Sequence, residues 1–342
     1  MSPSAKRYKR QRLLTDLPED LLEIIFSHLL PSDVKSLSLV CREFRERLVI
    51  YMFKHIKATW DQIIDLHKNK QGTAISQYRH LVRSLRIIEA NSFNEYQQKT
   101  FGTLLSPSVL PNLIRVTVNS DNLSYWLKYN ESFHIRSLSL YSDKEVNSIK
   151  IFHLSHIAGL HGLRQLCLSK YHFNWIEEEA PNLSTLETLS LQDCTWEYPF
   201  NLEYFNHSDS LHDLSITYSN NNPFILLERF INFLEAPFPS RASSLRNIKI
   251  SFFGITCNKK FLTMTIFSRL LHTFDALELL VLEGWTANLA YLRTGLKQHK
   301  FRFPTSIKLL LECFGDLGVR EFVADCETVP NLKLTVDNVL GN

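Results

Sequence analysis

Glycine is scarce in this chain, with ten in 342 residues. Loops that cradle phosphates need several glycines close together, and no G-x-x-x-x-G-K-S/T segment is present. A G-x-S-x-G elbow and an H-E-x-x-H helix are missing too, so nothing points to an enzyme active site. The six cysteines, Cys41, Cys167, Cys194, Cys257, Cys313 and Cys326, are scattered and form no CxxC pair. Neither a metal site nor a disulfide framework is expected, and a reducing compartment, cytoplasm and/or nucleus, fits best. No run of about 18 uncharged apolar residues could span a bilayer, and no apolar leader resembles a signal peptide. A dominant charge is also lacking, since 38 Lys and Arg against 35 Asp and Glu leave +3. Neither a membrane surface nor nucleic acid is therefore an expected partner. No cofactor is expected either.

What the chain does have is a surplus of apolar side chains at helical spacing over residues 17–48, LPEDLLEIIFSHLLPSDVKSLSLVCREFRERL. A module of about 35 residues cannot bury so many against itself, so a partner protein is expected to cover the rest. Pro18 suits a first helical turn and Asp16 an N-cap. Leu21, Leu22, Ile25 and Leu29 recur three or four apart along a first helix. Pro31 then punctuates, with Ser32 as a cap and Asp33 at the positive end of the dipole. Val34, Leu37, Cys41, Phe44 and Leu48 make one further stripe. Leu39 lies roughly 200° around from Leu37 on a helical wheel, so one stripe cannot bury both.

The order LP, E/D-LL, I-I-F, L-L-P-S-D-V, V-C-R in this segment resembles an F-box. That resemblance implies a small helical module that docks on the Skp adaptor and, through it, on a cullin. It assigns docking to Leu17, Pro18, Leu21, Leu22, Ile25, Leu29, Pro31, Val34, Leu37, Leu39, Val40 and Cys41. Phe44 departs from the family, which more often carries tryptophan there, but keeps an aromatic.

Downstream the chain repeats itself. Runs of the form L-x-x-L-x-L occur at Leu163, Leu166, Leu168; Leu186, Leu189, Leu191; Leu211, Leu214, Ile216; Leu245, Ile248, Ile250; and Leu277, Leu280, Leu282. Weaker copies begin at Val82, Leu113 and Ile135, and fragments lie near Leu309 and Leu332. Their starts are about 22 to 34 residues apart, longer and less regular than tidy leucine-rich repeats. Alternate residues of a strand face opposite sides, so the leucines of each run point one way and need neighbouring repeats to cover them. Stacking makes a parallel sheet on the concave side of a solenoid, with helices on the convex side. Phe224 to Leu234 and Phe261 to Leu271 read as such helices. Cys194, three residues past Leu191, reads as the buried turn residue of a repeat and not as a reactive thiol.

The chain thus resembles the F-box and leucine-rich repeat family of ubiquitin-ligase substrate receptors. The expected fold is α/β: a basic, disordered tail at 1–12, an all-helical F-box at 13–50, a helical linker at 51–80 and a solenoid with a C-terminal cap at 81–342. The linker's apolar side would be Phe53, Ile56, Trp60, Ile63, Ile64 and Leu66. The resemblance implies a non-catalytic receptor subunit whose solenoid holds an unidentified protein marked for degradation. The alternative is a scaffold that binds the Skp adaptor without forming a ligase. A third possibility uses Lys6, Arg7, Lys9, Arg10 and Arg12 as a nucleic-acid arm or import signal; the plainer reading of these residues is a solvated tail.

Positions three, five and seven of each repeat would line the concave floor, and in the middle repeats they are small and polar, as in Ser137, Ser139, Tyr141 and Asp213, Ser215, Thr217. Binding energy usually concentrates in Trp, Tyr and Arg. The substrate-binding candidates are therefore Arg86, Arg115, Tyr141, Tyr218, Phe252 and the loop tryptophans Trp175 and Trp196, whereas Trp285 reads as core. Towards the C-terminus the floor becomes apolar at Leu279, Val281 and Leu310, either a mixed binding surface or a face covered by the cap. His153, His156 and His161 have weak metal spacing with no nearby carboxylate.

Overall fold

The computed structural model describes residues 14, 17–59, 61–62, 77–88, 102–103, 105–119, 134–142, 151–153, 157, 160–173, 183–196, 205, 210–219, 244–253, 261–274, 276–312 and 318–338. The basic segment 1–12, Asp16, Trp60, Trp175 and the 224–234 run lie outside them.

Three helices come first. Helix α1 (Glu19–Ser27) starts after Pro18 with Glu19 and Asp20 in its first turn, where acidic groups offset the helix dipole. Helix α2 (Pro31–Ser38) has Pro31 in its first turn and Leu30 as N-cap. Ser32, expected as the cap, is one residue inside the helix: proline's fixed φ opens the helix earlier. The stripe from Val34 to Leu48 is also broken. Leu39 and Val40 form a turn, and Cys41 caps a separate helix α3 (Arg42–Lys54), its Sγ accepting from the Phe44 amide at 3.5 Å. Leu22, Phe26, Val34, Phe44 and Leu48 form the buried core of this module. Phe44 meets Phe26 edge to face at 6.2 Å, so the aromatic that departs from the family pattern fills its place.

Within the segment expected as a helical linker, residues 55–59 form a strand as soon as α3 ends, while 61–62 and 77–78 are helical and 63–76, with Ile63, Ile64 and Leu66, lie outside the described residues. Strand β1 (His55–Thr59) pairs in parallel with β2 (Ser84–Ile88). Phe53 and Ile56 have helical spacing, but the chain adopts a period of two from His55, turning Ile56 and Ala58 inward to the solenoid core and Lys57 outward. Tertiary pairing overrides the local pattern.

From β1 the sheet grows one repeat at a time through β3 (Arg115–Asn119), β4 (Ser137–Tyr141), β6 (Gln165–Ser169), β8 (Thr188–Gln192), β10 (Asp213–Tyr218), β11 (Asn247–Phe252), β13 (Leu279–Ala287), β14 (Thr305–Glu312) and β15 (Leu332–Asn338). Every neighbouring pair is parallel, and β12 (Phe261–Leu262) pairs β13 at one side. The register keeps the leucines in line: Leu138, Leu166, Leu189, Leu214, Ile248, Leu280 and Ile307 are partners in succession. All are nearly or fully buried, and burying each contributes about 1.5 to 3 kcal/mol.

The wall opposite the strands changes along the chain. Behind the middle repeats, β5 (Ile151–Phe152), β7 (His172–Phe173) and β9 (Thr195–Trp196) form a second, narrow parallel sheet. Towards the C-terminus it is helical, with α4 (Met264–Thr273), α5 (Leu289–Gln298) and α6 (Val319–Cys326). The expected helix at 261–271 begins with strand β12, and α4 starts only at the Thr263 N-cap, whose hydroxyl accepts from the Ile266 amide at 3.2 Å.

Gly284 makes one local departure possible. Its φ is +74°, and a Cβ there would lie 1.9 Å from the Phe252 carbonyl oxygen. The β13–β14 register shifts at this point, a bulge that returns Trp285 to the interior, where it is fully buried.

Candidate functional sites: the helical module and the open sheet face

The helical module leaves more large apolar side chains outside than inside. Seven between residues 21 and 52 are exposed, against five in its buried core. Leu39 is 69 % exposed, Val40 68 %, Leu30 65 % and Ile24 57 %. Leu21 and Ile24 share one face of α1, three residues apart. Leu39 follows α2 with its amide donating to the Ser36 carbonyl, so its side chain stands on a hydrogen-bonded turn.

The twelve residues expected to dock an adaptor divide by burial. Pro18, Leu21, Pro31, Leu39 and Val40 are exposed. Leu17, Ile25, Leu29, Leu37 and Cys41 are half-buried and pack against the module's core. Leu22 and Val34 are buried within it, so both are corrected from contact residues to core. Sequence reasoning missed Ile24 and Leu30. Ile24 sits three residues after Leu21 on the outward face, and Leu30 immediately before Pro31.

The second surface is the sheet face opposite the core. Its middle strands carry a ladder of small polar groups: Asp213 accepts from Asn247 Nδ2 at 2.6 Å and from Thr188 Oγ1 at 3.2 Å. Arg86 and Arg115 are exposed. Tyr141 is half-buried, its hydroxyl donating to the Ile87 carbonyl at 2.8 Å. Leu279, Val281 and Leu310 are half-buried. Trp175 and the side chain of Trp196 lie outside the described residues.

Tyr218 and Phe252 are not surface anchors. Both are buried, because the inward alternation of β10 and β11 continues one step beyond the repeat template. Their rings stack at 5.5 Å, Phe252 meets Trp285 edge on at 4.9 Å, and Trp285 Nε1 donates to the Ile250 carbonyl at 3.3 Å. These aromatics hold repeats together. Ser251, at the seventh position of the repeat that begins at Leu245, is buried and donates to Glu283 at 3.0 Å.

Cys194 is structural, as its position in the repeat suggests. It is buried and its Sγ donates to the Leu168 carbonyl at 3.3 Å. Burial pushes its thiol up to about 12, the reverse of what a nucleophile requires. Beside it, Asp193 adopts a left-handed φ of 50°, and its carboxylate accepts from the amide and hydroxyl of Ser219, both at 2.6 Å. Among the described residues no group of three or more His, Cys, Asp or Glu is placed to hold a metal, and no helix is long and apolar enough to cross a membrane.

A family model agrees with the bounds of the helical module. Residues 14–55 match the F-box-like family model, the span that contains the three helices and ends where β1 begins. No curated protein matches the sequence. Among solved structures, a TLR13–ssRNA13 complex is similar over 77 % of this chain and 33 % of its own, at 18 % identity and a TM-score of 0.42. The internalin C2 of Listeria monocytogenes is similar over 65 % of this chain and 92 % of its own, at 15 % identity and a TM-score of 0.30. The chain spans about a third of the TLR13 structure. The chain carries an F-box-like domain at 14–55, followed by a parallel-strand solenoid of the leucine-rich repeat kind.

Proposed function

We propose that this protein is the substrate-recognition subunit of a Skp–cullin–F-box ubiquitin ligase. In this reading the helical module docks on a Skp-type adaptor, and the open sheet face holds the protein to be ubiquitinated. The observation that carries it is the solvent-facing apolar set Leu21, Ile24, Leu30, Leu39 and Val40 on a module matched by the F-box-like model. Leaving such side chains in water forgoes about 25 cal/mol per Å² of apolar surface, which an adaptor would recover. The chain itself performs no chemistry here. It contributes by positioning, holding a target near a ubiquitin-charged enzyme, and works in the cytoplasm and/or nucleus.

Co-purification tests this reading. The full chain should bring down the adaptor together with a cullin, and a bound protein should disappear in a ubiquitin-dependent manner. Recovery of the adaptor with no cullin would favour an F-box scaffold instead.

A further inference from the structure

The sheet treats its basic residues differently along its length. In the middle repeats three are answered by carboxylates, Arg164 meeting Glu187 at 3.1 Å, Arg246 meeting Glu278 at 3.5 Å and Lys249 meeting Glu283 at 3.3 Å, while Lys308 on β14 and Lys333 on β15 stand singly without such a partner among the described residues. On β1 to β4 no such pairing occurs among the described residues. Lys57 and Arg86 are register partners on neighbouring strands, about 4.8 Å apart at the backbone. Arg115 is the partner of Ser84, one diagonal step from Arg86 on the same exposed face. Arg83 and Arg136 flank them where the strands begin. The Ile114 amide donates to the Arg83 carbonyl and the Arg136 amide to the Ile114 carbonyl, stacking the three residues in a row. All five cations are exposed, and Asp61 is the sole carboxylate among the described residues from 54 to 142.

His55 sits below its ordinary value first because of burial and then because of Lys54 and Arg115. Like charges on adjacent strands oppose the pairing that holds them together. A surface that keeps them without a counter-ion among the described residues is arranged for an anionic partner.

We propose that Lys57, Arg83, Arg86, Arg115 and Arg136 form a docking surface for an acidic segment of the protein substrate. The proposal deepens the receptor reading and rests on it. A short segment fits better than a long polyanion, because a strand of nucleic acid continuing across the sheet would meet Glu187, Asp213 and Glu278. Base stacking is poorly served as well: on β4 the aromatic Tyr141 has its hydroxyl tied to the Ile87 carbonyl. Ile114, 40 % exposed between Arg83 and Arg136, adds an apolar contact suited to a peptide.

The test measures binding of a labelled oligo-glutamate peptide, its oligo-glutamine counterpart and an oligo-thymidine of equal charge to the full chain. Oligo-glutamate should bind the wild type and Lys308→Glu, an exposed charge reversal outside the patch, equally well. Arg86→Glu with Arg115→Glu should weaken it by about 10-fold or more, and oligo-glutamine should not bind. Oligo-glutamate binding that survives the double reversal overturns the proposal, as does oligo-thymidine binding more tightly and being lost with the same two residues. Adaptor capture on the same samples keeps the two readings apart. A wild type that captures the adaptor and ignores oligo-glutamate overturns the patch alone, whereas failed capture counts against the F-box reading.

Discussion

Cys194 and Tyr218 are the residues whose burial has the clearest solution consequence. Burial raises both, the thiol from 9.0 to about 12 and the phenol well above 10.0. Below pH 9 the folded and unfolded chains both keep these protons, so the stability associated with the neutral groups is fully present. As pH rises from there towards 12, only the unfolded chain releases the thiol proton, and stability falls by up to about 1.4 kcal/mol per pH unit for that group. Denaturant titrations across this window should show the decline, and Cys194→Ala, with no thiol to ionise, should show a shallower one. The role of Cys194 was legible because the repeat places a small buried residue there. Tyr218 was misread because a template ending at the last leucine says nothing about the strand's next inward position.

At the scale of elements, the strands were the most legible part. A parallel ladder demands apolar residues at every second position on one face, and that demand shows directly as L-x-x-L-x-L. The wall behind them was not. Two-residue strands such as β5 and β7 are too short to show a period, and β1 disguised itself by placing Ile56 three residues after Phe53. Helix starts were less legible: Ser32, expected to cap α2, lies inside it, and the helix expected from Phe261 opens only after Thr263. Thr263, exposed and capping α4 through the Ile266 amide, carries one such start. Thr263→Ala should cost about 1 kcal/mol in thermal or chemical unfolding, and Thr263→Ser much less, because serine keeps the accepting oxygen.

At the scale of the whole molecule, two separate cores are joined through a continuous piece of backbone. Helix α3 passes into β1 without a loop, the Lys54 carbonyl accepts from the Arg83 amide at 3.0 Å, and Phe53 packs on Tyr78 at 4.8 Å. A load carried on the sheet face is thereby tied to whatever grips the helices. The F-box face itself was legible as a surplus, since more apolar side chains were present than the module could bury. Which ones stay outside was legible only in part. Leu22 and Val34 share the leucine-rich pattern of their neighbours, and packing alone decides that they turn inward.

The central claim is that the exposed apolar residues of the helical module bind a Skp-type adaptor. The most direct measurement is the adaptor's affinity for the wild type and for Leu39→Asp with Val40→Asp. Both residues lie on an exposed turn outside the core, so unfolding of the variant should match the wild type. The account predicts a loss of affinity of about 100-fold or more, as expected when two interface anchors are replaced by charges. Equal affinity for the folded variant would contradict it.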